Sequence, residues 1–367
     1  MEHRIHVALE RAAADAAEAR LAERDGRMRT REVVMGDPQA PLDKVLAVLD
    51  HHQLLGDDGR LRPEIALVSI GDHFDYGGGP GQPVADVERS GRELLAWLAA
   101  HPPDQVTLII GNHDLGRVGE LATFDDAKFS RARAAALAVH DDPALEARFL
   151  AEFPALPSSE VARRDFNGFS VAQRELVLRL LRTGRFLAAR AAGPHTLLCH
   201  AGVTVDDVGP SSDAHAIAAA LNERVERAVS AWQEGTPLVV PGLHQPGNAE
   251  GGEGGGVFYH RPSNPEHARR ASMTGPFRRR FDARRLPLGL LQVIGHIRDN
   301  KCRELLGEWA VGPEAREGEL RHLSTNGQEV RYSAGLPTAP DPAEARIVFT
   351  DGGMNHARAE DYELLEL

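Results

Sequence analysis

The chain has 367 residues, of which 42% are hydrophobic and 26% are charged, and its formal net charge is −12. This length exceeds the usual size of one domain, but an α/β sandwich with inserts can hold it as a single unit. An acidic protein of this kind is a poor match for an extended nucleic-acid or membrane surface, so we expect neither partner. With two cysteines, no apolar leader and no apolar run near the ~18 residues that cross a bilayer, we expect a cytoplasmic protein.

The N-terminal residues predict a helix that precedes the sheet. Residues 3–25 are rich in alanine, and Gly26 ends the pattern. The alternation of strands and helices begins only afterwards. We therefore expect residues 1–30 to form an N-terminal helix and residues 31–367 to form one domain.

Five apolar runs rich in β-branched residues predict buried strands. They are residues 32–35, 66–70, 106–110, 196–199 and 291–294. Leu42, Val45 and Leu49 mark an amphipathic helix after the first run, and parallel strands need crossover helices of this kind. The predicted fold class is therefore α/β.

Two long inserts interrupt this alternation. Residues 119–191 show helical periodicity broken by Pro154 and Pro157, which predicts a helical cap. The second insert, residues 204–288, contains the glycine-rich run 251–256. So many glycines predict a mobile loop, or a close approach of the backbone to a ligand.

Each predicted strand is followed by polar residues of the types that bind metals. These segments are Gly36-Asp37-Pro38-Gln39, Gly71-Asp72-His73-Phe74-Asp75, Gly111-Asn112-His113-Asp114, Cys199-His200-Ala201-Gly202 and Gly295-His296. Because an open α/β sheet binds ligands at the carboxyl ends of its strands, we expect these side chains to meet there. Turn and capping chemistry also favours Asp and Asn at strand ends, but it does not require two histidines and an amide in this order.

The order of these segments resembles the calcineurin-like metallophosphoesterase superfamily, whose pattern is Asp-x-His, Gly-Asp-x-x-Asp, Gly-Asn-His-Asp/Glu, a lone His and Gly-His. The resemblance spans residues 31–355. Residues 71–77, 111–115 and 350–354 are similar to its phosphoprotein phosphatase branch, which includes protein Ser/Thr phosphatases and symmetrical diadenosine tetraphosphate hydrolases. The resemblance implies a four-layer α/β/β/α sandwich and hydrolysis of phosphoric esters or anhydrides by metal-bound hydroxide.

The resemblance also implies two divalent metal ions, held by residues at the matching positions. The implied ligands are Asp37 and Gln39 for the first ion, Asp72 as the bridge, and Asn112, His200 and His296 for the second. Gln39 stands where the family has a histidine. Because an amide oxygen is a weaker and harder donor than imidazole, we expect a looser first site and manganese as the ion, with iron, zinc and magnesium as alternatives.

Acid–base and substrate-binding roles fall on five further residues, of which the resemblance implies His113, Asp75 and Arg261. His113 is the expected acid for the leaving group, and Asp75 is the carboxylate that raises its pKa and fixes its tautomer. Arg261 and Arg117 are the expected contacts to phosphate oxygens, since the planar guanidinium binds phosphate in a bidentate manner. Tyr259 is the expected aromatic residue for stacking on a base.

Two functions from different classes fit these residues. The first is a metallophosphoesterase acting on a phosphorylated small molecule, a nucleotide or a phosphopeptide; the bulk of the two inserts favours a dinucleoside polyphosphate. The second is a degenerate phosphatase domain that binds a phosphorylated ligand or a protein without turnover. Gln39, and the missing second histidine after Gly295-His296, would support the second. The retained His113 and Asp75 favour the enzyme, while substrate and oligomeric state stay open.

Overall fold

Two large β-sheets, a two-stranded sheet and the surrounding helices make up the computed structural model, which describes residues 2–76, 83–139, 142–337 and 342–367. In chain order the strands are β1 (Arg31–Met35), β2 (Ile65–Ser69), β3 (Val106–Ile109), β4 (Phe186–Leu187), β5 (Ala189–Ala191), β6 (Thr196–Cys199), β7 (Arg261–Ser263), β8 (Arg280–Asp282), β9 (Leu291–Ile294), β10 (Arg321–Thr325), β11 (Val330–Ala334), β12 (Ala345–Phe349) and β13 (Leu365–Glu366). The five strands predicted from the sequence are all present, each within one residue of its expected bounds.

The helices connect these strands and cover the sheets. They are α1 (Glu2–Glu18), α2 (Leu42–His51), α3 (Val84–Ala99), α4 (Asn112–Gly116), α5 (Asp126–Leu137), α6 (Pro143–Glu152), α7 (Val171–Arg182), α8 (Val205–Val208), α9 (Ala214–Ala231), α10 (Arg270–Met273) and α11 (Asp299–Leu306). A π-helical turn covers Val161–Asp165, and 3₁₀ turns cover Val257–Tyr259, Ala283–Arg285 and Gly307–Trp309. Among the described residues, no helix combines the length and the apolar composition that crossing a membrane requires.

The two large sheets both have parallel strands at their centres and antiparallel strands at one or both edges. The first has the order β13-β1-β2-β3-β4, with β1 to β4 parallel and β13 antiparallel at the edge. The second has the order β11-β10-β12-β9-β6-β5, in which β12, β9 and β6 are parallel neighbours. β7 and β8 form a separate parallel pair. The carboxyl ends of the central strands therefore share one edge in each large sheet.

An apolar layer between the two sheets holds them face to face. Its buried members come from both sheets and are Val34, Val68, Ile70, Ile109, Leu198, Val293 and Val348. Helices α1, α2, α3 and α7 pack together on the side of the first sheet, and α9 covers β5 and β6 of the second. The four-layer α/β/β/α sandwich is thus confirmed.

The N-terminal helix is shorter than the sequence predicts. It ends at Glu18 instead of continuing to residue 25, because Ala19 adopts a left-handed φ of 49°. The following segment is tied to the end of α3, where the Ala22 N–H donates to the carbonyl of Ala99. Helix α1 itself packs against α2 and α3.

The first insert contributes a hydrophobic core of its own, separate from the sandwich. Aromatic residues dominate it, and its buried members lie between Leu121 and Phe169. Helix α7 packs on α3 instead, and β4 and β5 belong to the two large sheets. The cap is therefore narrower than the predicted 119–191, since only residues 121–169 build the separate core.

The glycine-rich run of the second insert is packed against protein. Gly255 exchanges two backbone hydrogen bonds with Gln245, of 2.8 and 2.9 Å, and Gly252 exchanges two with Asn248, of 2.8 and 3.0 Å. The backbone of this glycine-rich run lies close to other parts of the protein, among them the ring of Tyr259. The expected mobile loop is therefore replaced by a hydrogen-bonded one.

Candidate metal centre

The polar segments that follow β1, β2, β3, β6 and β9 meet at the carboxyl ends of these strands, as the sequence predicts. His200 comes directly after β6, and its side chain is fully buried. Its Nδ1 donates to the carbonyl of Ile70 at 2.9 Å, which leaves the lone pair on Nε2. That nitrogen lies 3.0 Å from Asn112 Oδ1 and 3.2 Å from His296 Nδ1. Segments from three strands are thereby brought within contact distance.

Asp72 lies at the centre of these groups. Its Oδ2 is 3.5 Å from His200 Nε2, and its Oδ1 accepts from the backbone N–H of His113 at 2.8 Å. A Cβ on Gly111 would lie 2.1 Å from Asp72 Oδ1, so only glycine leaves room for this carboxylate. Among the described residues, five non-glycine residues have positive φ, and Asp72, Asp75 and His296 are three of them. Backbone strain of this kind concentrates at functional sites.

Asp37 occupies the neighbouring position after β1. Both of its oxygens accept from the backbone N–H of His296, at 2.9 and 3.1 Å. A Cβ on Gly295 would lie 1.8 Å from Asp37 Oδ1, so this approach also needs glycine. Burial, together with the charges of Asp351 and Asp72, raises the pKa of Asp37 well above its ordinary value. Such a group of buried carboxylates favours a cation nearby.

His113 and Asp75 form a hydrogen-bonded pair next to this cluster. The Nδ1 of His113 lies 3.0 Å from Asp75 Oδ2, while its Nε2 lies 3.9 Å from Asp72 Oδ2. Burial alone would lower the pKa of His113, but the charge of Asp72 and the bond to Asp75 outweigh it and raise the pKa to about 9. The ring of Phe166 meets that of His113 edge to face at 5.7 Å. His113 thus has one nitrogen held by Asp75 and the other towards Asp72.

Arg117 lies beneath this pair and has no exposed side-chain surface. Its guanidinium binds both oxygens of Asp75 and also donates to the carbonyls of His113 and Gly168, at 2.9 and 2.8 Å. The Gly168 N–H completes the arrangement with a 3.3 Å bond to Asp75 Oδ1. With every face occupied, the guanidinium has no surface left for phosphate. We therefore replace the predicted substrate contact of Arg117 with a role in holding Asp75.

Arg261 and Tyr259 are the two remaining residues that the sequence predicts as substrate contacts. Burial lowers the pKa of His296 well below its ordinary value, and the positive charge of Arg261 lowers it further. Tyr259 is only 9% exposed, and its ring stacks on His244 with an interplanar angle of 8°. Its hydroxyl lies 3.2 Å from His244 Nδ1 and 3.5 Å from Glu120 Oε1. The ring predicted to stack on a base is therefore occupied by protein contacts.

Gln39 lies two residues after Asp37, partly buried at the edge of the cluster. Its amide nitrogen donates to the carbonyl of Phe74 at 3.2 Å. This bond orients the amide so that Oε1 is the atom with which Gln39 can coordinate a cation.

A comparison with protein-family models matches residues 31–275 to calcineurin-like phosphoesterases. The chain belongs to the calcineurin-like phosphoesterase family. A comparison with curated proteins found no significant match. Membership makes the chain a phosphoric ester hydrolase and implies a dinuclear divalent metal site. His296 lies beyond the matched residues, and it is the fold that brings it to His200.

The side chains of this calcineurin-like site fit divalent ions. Ligand atoms of Asp72, His200 and His296 all lie within 4.8 Å of one another. Since His200 Nε2 carries a lone pair, its contacts with Asn112 Oδ1 and His296 Nδ1 bring together atoms that coordinate cations. The Nε2 of His296 is buried without a hydrogen bond, although the carbonyl of Tyr259 lies near the ring. Two imidazoles, an amide oxygen and a carboxylate suit a first-row divalent metal.

One structural pair in the site was missed by the sequence reasoning. The buried Asp114 accepts the N–H groups of Gly111, Asp72 and His73, at 2.8, 3.1 and 3.1 Å, and also faces His73 Nδ1 at 3.0 Å. It thereby fixes the backbone on both sides of the metal-ligand candidates. The signal available in the sequence is the acidic fourth residue of Gly-Asn-His-Asp.

Proposed function

We propose that this protein is a dinuclear metallophosphoesterase that hydrolyses a phosphoric ester or anhydride in one step, without a covalent enzyme intermediate. The observation that carries the proposal is the convergence of His200 Nε2, Asn112 Oδ1 and His296 Nδ1 beside the pair of His113 and Asp75. A ligand cluster next to a charged imidazole supports hydrolysis, because the metals and the acid serve the same phosphoryl group.

The metal ligands in this proposal are those that the resemblance implies. Asn112, His200 and His296 would hold one ion, Asp37 and Gln39 the other, and Asp72 both. When bound, the ions supply a nucleophile at neutral pH and neutralise the phosphoryl oxygens. The amide oxygen of Gln39 is a hard, weak donor, which supports manganese as the working ion.

His113 would donate the proton that the leaving oxygen needs. Asp75 holds its Nδ1, so Nε2 is the nitrogen free to donate. Arg117 keeps Asp75 charged and fixed from below. Phe166, packed edge-on against the imidazole, limits its rotation. The chain's own residues thus orient an imidazolium towards the position where a leaving group departs.

Arg261 is the proposed contact to the phosphoryl oxygens. Within the described part of the chain its guanidinium forms no hydrogen bond or ion pair, in contrast to the fully engaged Arg117. An unpaired guanidinium beside the metal-ligand candidates is available for bidentate binding of phosphate. Tyr76, where the phosphoprotein phosphatase branch has arginine, offers no such contact, and Gly77 of that motif lies outside the described residues.

A phosphorylated small molecule or nucleotide is the substrate class that we propose ahead of a phosphopeptide. The aromatic core of the cap, residues 121–169, reaches the site through Phe166 and Gly168. This wall beside His113 disfavours a folded phosphoprotein. Membership of the phosphoprotein phosphatase branch remains a prediction from the motifs, and the preference for a dinucleoside polyphosphate remains a prediction from the bulk of the inserts.

The competing function is a phosphate-binding domain without turnover. Metal content measured beside hydrolysis of 4-nitrophenyl phosphate with added manganese separates the two. We expect bound metal and turnover that depends on it, with both reduced in His200→Ala. Metal-free protein that turns over no substrate with any divalent ion would favour the binding domain.

A further inference from the structure

A second arginine, Arg280, lies beside Arg261 in the small sheet formed by β7 and β8. The two residues are register partners across the parallel pair. Side chains at paired positions project from the same face of a sheet, and neighbouring strands lie about 4.8 Å apart. Both guanidinium groups therefore leave the sheet side by side, and both residues are partly exposed. Like charges placed opposite each other destabilise a sheet, so this pairing requires compensation.

The described residues compensate this charge only in part. Neither Arg261 nor Arg280 forms a side-chain hydrogen bond or an ion pair there, whereas Arg278 is paired with Asp207 and Arg279 with Glu253. The carboxylates whose charges act on Arg261 are Glu253 and then Asp165, and Glu304 acts on Arg280. Glu253 is shared with Arg279, and Asp165 with Arg164. Glu304 is already bonded to Lys301 at 2.7 Å. The pair thus keeps a surplus of positive charge.

Of the two arginines, Arg261 is the one nearer to the metal-ligand candidates. Strand β7 begins beside the site: His260, which directly precedes Arg261, contacts the carbonyl of Gly202 through Nδ1 at 3.1 Å, two residues after His200. The charge of Arg261 acts on the His296 ring, and Arg280 is the register partner of Arg261 on β8. A phosphoryl group at the metal-ligand candidates would therefore meet Arg261 first. An anion attached to that group would meet Arg280.

We propose that Arg280, together with Arg261, forms a subsite for a second phosphoryl group joined to the scissile one through an anhydride bond. Two adjacent guanidinium forks, about one strand spacing apart, match two adjacent tetrahedral anions. The inference rests on the proposed phosphoesterase activity and narrows its substrates to diphosphates and longer polyphosphates. Arg280 is then a specificity-determining residue that contacts the substrate but not its reacting atom.

The test compares substrates with one and with two phosphoryl groups in manganese-loaded protein. In Arg280→Ala we expect the KM for ADP to rise ~10- to 100-fold, the range for a lost charge-assisted contact. The KM for 4-nitrophenyl phosphate should rise far less. Arg280→Lys, which keeps the charge but loses the fork, should give an intermediate value. Arg284→Ala is the matched control, because this arginine is exposed and pairs with Asp282; it should change neither KM.

Binding of inorganic pyrophosphate by calorimetry gives a readout that does not need turnover. Tight binding lost in Arg280→Ala and kept in Arg284→Ala supports the subsite, even if no phosphoric ester is hydrolysed and the proposed function fails. Equal rises in KM for ADP and 4-nitrophenyl phosphate, or pyrophosphate binding that ignores Arg280, overturn the subsite. In that case hydrolysis of 4-nitrophenyl phosphate would still leave the proposed function in place.

Discussion

Arg117 and Asp75 form a bidentate ion pair in which neither side chain has any exposed surface. Burial raises the pKa of Asp75, but the charge of Arg117 and the bond to His113 lower it below its ordinary value. The pair therefore fixes a charged carboxylate beneath the imidazole of His113. A buried pair of this type is sensitive to removal of one partner, because the other charge is left without compensation.

Arg117→Ala is expected to lower the free energy of unfolding by about 3–5 kcal/mol, since it leaves Asp75 buried and charged. Urea unfolding measures this loss. Arg182→Ala is the control: this arginine pairs with Glu234 on the surface, with side chains 50% and 62% exposed, and should cost less than about 1 kcal/mol. If Arg117→Ala does not fold, Arg117→Met combined with Asp75→Asn removes both charges and should recover a folded protein. If Arg117→Ala and Arg182→Ala lowered the free energy of unfolding equally, the buried-pair interpretation would be contradicted.

His113→Ala should reduce turnover by ~10²–10⁴ on a substrate with a poor leaving group, because the departing oxygen then lacks its proton donor. The loss should be smaller for 4-nitrophenyl phosphate, whose leaving oxygen hardly needs a proton. Metal content, measured by mass spectrometry, should match that of the unmodified protein. His6→Ala, on the exposed surface of α1, serves as the control. Loss of metal in His113→Ala would make His113 a ligand and refute its assignment as the acid.

The strands and the candidate metal ligands could be predicted from the sequence because both depend on local patterns. The run Thr196–Cys199 has the composition of a buried strand, and His200 follows it at the point where a parallel strand ends. Once the strands are known, the convergence of their carboxyl ends follows from the fold class. His200 and His296 could thus be placed together although 96 residues separate them.

The roles of Arg117 and Tyr259 could not be predicted, because burial and partners decide them. Arg117 was expected to contact phosphate, yet its guanidinium is used by Asp75, 42 residues away. Tyr259 was expected to stack on a base, but its hydroxyl meets Glu120, 139 residues away. No periodicity encodes such contacts. The end of α1 depends likewise on one left-handed residue, Ala19, which the alanine-rich pattern does not reveal.

Glu120 should make the stability of the folded protein fall as pH rises. Burial raises its pKa to about 7 from an ordinary value of 4.5, against the opposing hydrogen bond from the Gly247 N–H. The folded state therefore holds this proton more tightly than the unfolded state. Between these two pH values the unfolded state loses the proton while the folded state keeps it, so the free energy of unfolding falls as pH rises. The Glu120→Gln variant has no proton to lose at this position, so its free energy of unfolding should not show this decrease. The difference in free energy of unfolding between the variant and the unmodified protein should grow by up to about 3 kcal/mol from pH 4.5 to 8.

Urea midpoints across this range measure the effect of Glu120→Gln. Tyr259 lies beside Glu120, and its hydroxyl contacts His244. Burial lowers the pKa of His244 to about 3. His244 therefore stays neutral in the folded protein throughout the range. Glu10→Gln, at an exposed position on α1, should show no such growth. The raised pKa would be contradicted if Glu120→Gln and the unmodified protein differed in free energy of unfolding by the same amount at every pH.

Gln39 should make the first metal site bind its ion more weakly than the second site does. After dialysis we expect one ion per chain, with the second site filling only in excess divalent metal, because an amide oxygen binds a first-row ion more weakly than imidazole. Gln39→His should restore a stronger donor and raise the occupancy of the weaker site, measured by mass spectrometry and by calorimetric titration with manganese. The bond from the Gln39 amide nitrogen to the Phe74 carbonyl orients the side chain at this position, and an imidazole N–H can replace it. Gln328→His, at an exposed site, controls for an added histidine. Two ions retained equally by the unmodified protein would show that Gln39 does not weaken the first site.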